Sequence, residues 1–331
     1  MKWIESWFTT YFFWRLYREY SQKGWAVVCK IPLLNIAFPD DSVQYFLCSF
    51  AREDKVRLVG TLPPANLVAY CSFTVYDTMG VPADSLFDDQ ITTTQEGRYE
   101  ITMGSDLKIP SSSYYCIIMR MYMLSSPSPL ELDYTPSLIM ETDCQQILSH
   151  VSMKDLVHNS ETIEEKAVGF LSRRRLPSLT EKQPFYAPPS SEMASFFVNA
   201  NATYLLATPD PEEKVLCVTG RRPTRIGRHE NIRFVGFMAC NLQTTATDAS
   251  VSWKNLPVHY RVWVAFSEAS ARSAGYHGKD PLLLWKKNNA FPVLVYREVR
   301  VDGKGLKSQS EGKMDASACK KIMGPYYPMV V

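Results

Sequence analysis

One pattern occurs twice in this chain of 331 residues, and it limits the fold more than composition does. Tyr45-Phe46-Leu47-Cys48 leads through Lys55-Val56-Arg57-Leu58-Val59-Gly60 to Pro63. Tyr204-Leu205-Leu206-Ala207 leads through Lys214-Val215-Leu216-Cys217-Val218-Thr219-Gly220 to Pro223. Each copy then enters a similar apolar run, Ala69–Asp77 in one and Arg233–Asn241 in the other. Further on, His259–Val264 matches Arg98–Met103, and Val293–Val299 matches Cys116–Tyr122, which puts Arg297 at the place of Arg120. The runs are short, several alternate polar with apolar, and turn residues such as Pro39-Asp40-Asp41 separate them. Such strands read as β-sandwiches and not as an α/β fold. The expectation is a mainly β protein of two tandem β-sandwich (jelly-roll-like) domains from an internal duplication, with N-terminal and connecting helices.

The expected organisation is an aromatic amphipathic helix in 1–36, a first β-sandwich repeat in 37–126 and a helical, Pro-rich connection in 127–195. A second repeat follows in 196–301 and a tail in 302–331. Within the connection, 138–150 and 153–171 read as helices and 177–189 as an extended linker. In the tail, 315–323 reads as a short helix ahead of an apolar end that packs on the fold. The second repeat carries two insertions: Gly220 to Phe234 is four residues longer than Gly60 to Tyr70, and Tyr260 to Arg297 is sixteen longer than Tyr99 to Arg120. The longer one holds His277–Trp285. Insertions between strands become loops, where binding surfaces tend to arise.

A chain of this length exceeds one ordinary core, which agrees with two domains. The 46% hydrophobic and 21% charged residues are those of a globular protein, and a net charge of +2 gives no general field for nucleic acid. Eight cysteines are scattered without a CxxC, as expected in a reducing compartment. The five histidines form no HExxH or HxH, and no glycine-rich phosphate loop occurs, so neither a metal nor a cofactor is expected. There is no secretory signal pattern and no apolar run of roughly 18–20 residues. An intracellular protein is expected, with an organelle membrane as one setting.

The first residues are strongly aromatic. Trp3, Trp7, Tyr11 and Trp14 recur at helical steps, and Ile4, Phe8 and Phe12 widen that face. Such a surface must be covered. It docks on the protein's own domains, on a partner subunit, or in a membrane interface, and the sequence leaves all three open.

The second copy, through Asn201, Tyr204–Ala207, Val215–Thr224, Arg233-Phe234 and Tyr296-Arg297, resembles a mainly bacterial group of uncharacterised proteins with paired β-sandwich domains of unknown function. The C-terminal Met323–Pro328 is similar to the tail of such proteins. The resemblance implies the sandwich fold and no known activity.

Two sets of residues stand out as ligand or anion candidates. Arg120 and Arg297 each interrupt an apolar strand at the same place, as structural clamps or as forks for an anionic ligand. Arg221, Arg222, Arg225, Arg228 and His229 crowd one loop, solvated or facing phosphate, acidic lipid or an acidic partner. No catalytic constellation emerges. The expected role is a non-catalytic structural or interaction subunit among other protein subunits, with a membrane surface as a further contact and without nucleic acid. The alternative is a small-ligand-binding protein or enzyme, with its site in the inter-domain cleft or the second-repeat loops.

Overall fold

The computed structural model describes residues 21–22, 25–27, 39–77, 80–112, 114–124, 134–140, 183–188, 198–209, 215–242, 246–302 and 314–331. The chain divides into two units: residues 1–32 with 44–174, and residues 33–43 with 175–331. The second unit thus takes the described residues 39–43, which the repeat pattern assigns to the first.

In the first unit the strands are β1 (Ser21–Gln22), β2 (Trp25–Val27), β3 (Val43–Ala51), β4 (Val56–Thr61), β5 (Val68–Tyr76), β6 (Pro82–Phe87), β7 (Arg98–Thr102), β8 (Tyr114–Met123) and β9 (Ser137–Met140). A six-stranded sheet runs β1-β2-β3-β8-β5-β6, and a three-stranded sheet runs β7-β4-β9. Valine, tyrosine and phenylalanine dominate β5 (VAYCSFTVY), where branched and aromatic side chains pack well on a pleated surface. Alternate residues of both sheets meet in one core: Phe46 and Cys48 of β3, Phe73 and Val75 of β5, Met119 and Met121 of β8, with Leu58 of β4 and Ile101 of β7. Each fully buried side chain of this size contributes about 1.5–3 kcal/mol. The opposite face of the large sheet is buried as well, through Tyr70, Ser72, Tyr76, Cys116 and Tyr122.

The second unit continues with β10 (Gln183–Tyr186), β11 (Ala202–Thr208), β12 (Val215–Arg221), β13 (Ile232–Asn241), β14 (Thr247–Ser252), β15 (His259–Ala265), β16 (Leu282–Leu284), β17 (Pro292–Arg300) and β18 (Met329–Val330). Its sheets run β10-β11-β17-β13-β14 and β16-β15-β12-β18. All pairings are antiparallel except β15 with β16. Leu205, Leu216, Val218, Val235, Phe237, Val262, Val264 and Tyr296 interlock as its core. Helix α1 (Glu268–Ser273) starts at Ser267, whose Oγ accepts from the Ser270 amide. Helix α2 (Ala316–Met323) starts at Asp315, whose carboxylate accepts from the Ala318 amide at 2.8 Å. The C-terminal end does pack: Tyr327 donates to the Phe185 carbonyl at 2.6 Å, and β18 pairs with β12.

Three expectations meet a different structure. Residues 21–22 and 25–27, inside the stretch expected as an aromatic helix, form a strand pair that joins the large sheet. Trp25 is fully buried there, and its indole donates to the Pro136 carbonyl at 2.8 Å. Residues 137–140, expected to begin a helix, pair with β4 instead, where an unpaired sheet edge offers more hydrogen bonds than one short turn does. Gln183–Tyr186, expected as linker, adds to β11 at the edge of its sheet, a position that tolerates Pro184. The helix expected over 153–171 lies outside the described residues.

Candidate functional site

The two strand arginines are interior. Arg120 and Arg297 are each 3% exposed. The Arg120 guanidinium lies 5.4 Å from the centre of the Tyr76 ring and 5.9 Å from that of Tyr45. Arg297 pairs across strands with Tyr204 and Gly236, and sits 5.1 Å from the Tyr204 ring centre. Ring faces attract such a cation most where water is excluded. Within the second unit, the buried Asp40 carboxyl is raised above its ordinary range by burial, and the Arg297 charge opposes that shift. Each guanidinium thus lies against ring faces in the interior.

In the arginine loop one side chain is tied to backbone carbonyls. Arg222 donates through Nε to the Leu256 carbonyl at 2.7 Å and through Nη1 to the Pro223 carbonyl at 3.0 Å, and lies 5.8 Å from the Trp253 ring centre. Arg228 is half-buried, while Arg221, Arg225 and His229 are exposed. The sheet adds two residues that the sequence reading missed. Arg221 ends β12 opposite His259 of β15, and Thr219 stands opposite Arg261. His259 and Arg261 alternate with the buried Tyr260 and Val262, so both project from the outer face. That period-2 alternation was the available signal, but the register was not.

The longer insertion carries a pinned loop. Trp285 is buried, donates to the Val293 carbonyl at 3.2 Å, and rests 5.5 Å from the Phe266 ring centre. Asn289, also buried, donates to the Cys240 carbonyl at 3.1 Å and to Asp248 Oδ2 at 2.9 Å. Its own Oδ1 accepts from Asn241 at 2.8 Å and from the Phe291 amide at 3.0 Å. Asp248 Oδ2 also accepts from the Lys286 amide at 3.1 Å. On this fixed frame Leu284 is 41% exposed and Phe291 49% exposed, with Lys286 and Lys287 exposed between them. Phe266, Lys287, Asn288, Asn289 and Ala290 line a depression of about 390 Å³.

The remaining reactive groups serve the interior. The six described cysteines are free and buried, and burial pushes the thiols of Cys48, Cys116, Cys217, Cys240 and Cys319 up. A thiol so placed is a poor nucleophile. Asp88 is buried and accepts from the Cys71 amide at 2.9 Å, which secures β5. Burial raises Glu298, which accepts from the Tyr296 hydroxyl at 3.0 Å and lies 3.5 Å from Arg300. Among the described residues no three His, Cys, Asp or Glu side chains are grouped to hold a metal, and no helix is long and apolar enough to cross a membrane. Trp3, Trp7, Phe8, Tyr11, Phe12 and Trp14 lie outside the described residues.

No protein-family model matches the sequence, and no curated protein matches it. Among solved structures, an uncharacterised protein from Burkholderia cenocepacia is similar at 12% identity with a TM-score of 0.61, over 98% of this chain and 86% of that one. A protein from Vibrio parahaemolyticus aligns at 8% identity with a TM-score of 0.46, over 99% and 98%. That the Burkholderia protein is uncharacterised is in line with the resemblance in the repeats. The Burkholderia likeness shows the fold alone.

Proposed function

We propose that this chain is a non-catalytic interaction protein, built from two copies of one β-sandwich, in which the second copy carries the partner-binding surface. The strand successions β3-β8-β5-β6 and β11-β17-β13-β14 support a duplication, as do β7-β4-β9 and β15-β12-β18. One observation carries the functional reading: Leu284, at the end of β16, and Phe291 stand exposed at either end of a loop fixed by buried Trp285 and Asn289. A mobile loop could fold its phenylalanine away, whereas a pinned one holds it out as a rigid anchor of the kind that dominates protein interfaces. Flanking Lys286 and Lys287 supply a polar rim.

Hydroxyl-radical footprinting of the chain alone and in extract of its source tests this. Phe291 and Leu284 oxidise readily in the isolated chain and become protected in the extract. Equal oxidation in both would reject the reading. The depression beside Asn289 favours a second reading, a small-ligand site in the second-unit loops, which replaces the first if a solute of low mass gives the same protection.

A further inference from the structure

Register places a cationic tile on the outer face of the second unit's smaller sheet. Met329, Thr219 and Arg261 form one row across β18, β12 and β15, and Arg221 and His259 form the next. Residues paired in an antiparallel ladder project on the same face. Arg221, His259 and Arg261 are exposed, and Met329 is 44% exposed. The row beyond, Cys217 and Trp263, is covered by Ala271 and Tyr276, so the open area is bounded on that side. Asp280 lies near enough to act on the Cys217 thiol, as Arg261 does.

The first unit handles the same face differently. There Gly60 pairs with Tyr99 as Gly220 pairs with Tyr260, and the residue after Tyr99 is Glu100 where the second unit has Arg261. Glu100 accepts from Arg57 at 2.8 Å, so that face neutralises itself. Arg221 and Arg261 make no ion pair among the described residues. Arg221 and Arg261 are diagonal neighbours on adjacent strands and carry like charge, an arrangement that costs stability unless a partner supplies negative charge.

We propose that this tile binds an acidic protein segment laid across β12 and β15, separately from the Phe291 loop. Arg221 and Arg261 grip carboxylates in two-pronged fashion, and Thr219 donates or accepts through its hydroxyl. Met329 takes an aliphatic side chain of the same segment. That apolar member favours a peptide over a nucleic-acid backbone, whose recognition calls for a run of phosphate contacts.

The test titrates the full chain with a fluorescent Glu/Leu peptide, its Gln/Leu counterpart and a DNA duplex. The Glu/Leu peptide binds, the Gln/Leu peptide binds at least about tenfold more weakly, and added salt weakens the first. Arg221→Glu with Arg261→Glu abolishes binding, as Arg221→Gln with Arg261→Gln does where the reversal fails to fold. Lys108→Glu, on the first unit, leaves binding unchanged. Absence of Glu/Leu binding, equal affinity for the two peptides, retention of binding in the Gln variants, or tighter binding of the duplex overturns the proposal. Phe291→Ser leaves the titration unaltered, so this failure is distinguishable from that of the loop reading.

Discussion

The Tyr260 ring lies over Gly220, its partner across the β12–β15 ladder. A Cβ built on Gly220 would fall 2.7 Å from Tyr260 Cζ, inside any real contact. Tyr99 covers Gly60 in the same way, with Cζ at 3.0 Å. Glycine in a strand thus serves here for close approach and not for a turn. Gly220→Ala is expected to cost about 1–3 kcal/mol through overpacking, read as a shift in denaturant midpoint at unchanged slope. Tyr260→Phe should leave stability unchanged or raise it, because the buried Tyr260 hydroxyl makes no hydrogen bond among the described residues.

Arg297 and Asp40 are expected to be coupled. Arg297→Met removes the charge that offsets the burial of the Asp40 carboxyl and should lower the melting temperature. Adding Asp40→Asn should return part of that loss. Additive effects in the double-mutant cycle would remove the clamp from the account.

Glu298 sets a pH dependence. Its folded value is raised from the usual 4.5, so the folded protein holds the proton more tightly than the unfolded chain does. Stability from this group is therefore largest below pH about 4.5 and falls as pH rises through the folded value. Glu298→Gln should melt at a higher temperature than the parent at neutral pH, with the difference shrinking on acidification. A constant difference across pH would contradict it.

Asn289 is expected to matter to the loop more than Phe291 does to the fold. Asn289→Ala removes bonds to Cys240, Asp248, Asn241 and Phe291 and should cost about 1–3 kcal/mol. Phe291→Ser should leave the melting temperature within measurement error. If Phe291→Ser destabilises as much as Asn289→Ala, the phenylalanine belongs to the fold and not to an interface.

The strands were legible because local pattern and burial agree: β8 (Tyr114–Met123) spans the apolar run read from the sequence, and β17 contains Val293–Val299. β9 was not, since Leu138 and its successors fit a helical period and only pairing with β4 selects a strand. β10 hid behind Pro184, tolerable because the strand is an edge. At the site, Arg120 and Arg297 announced themselves by interrupting apolar runs, but their ring partners come from other strands. The Asn289 knot joins Asn241, Asp248 and Phe291 from three segments, and no local pattern carries such a meeting.

The most direct test of the interaction role is the native mass of the chain in extract of its source, compared with that of a Leu284→Ser, Phe291→Ser variant. The parent is expected well above its own 37.7 kDa, and the variant near it with an unchanged melting temperature. Parent and variant both running as the single chain, or both in the same large species, would contradict the central claim.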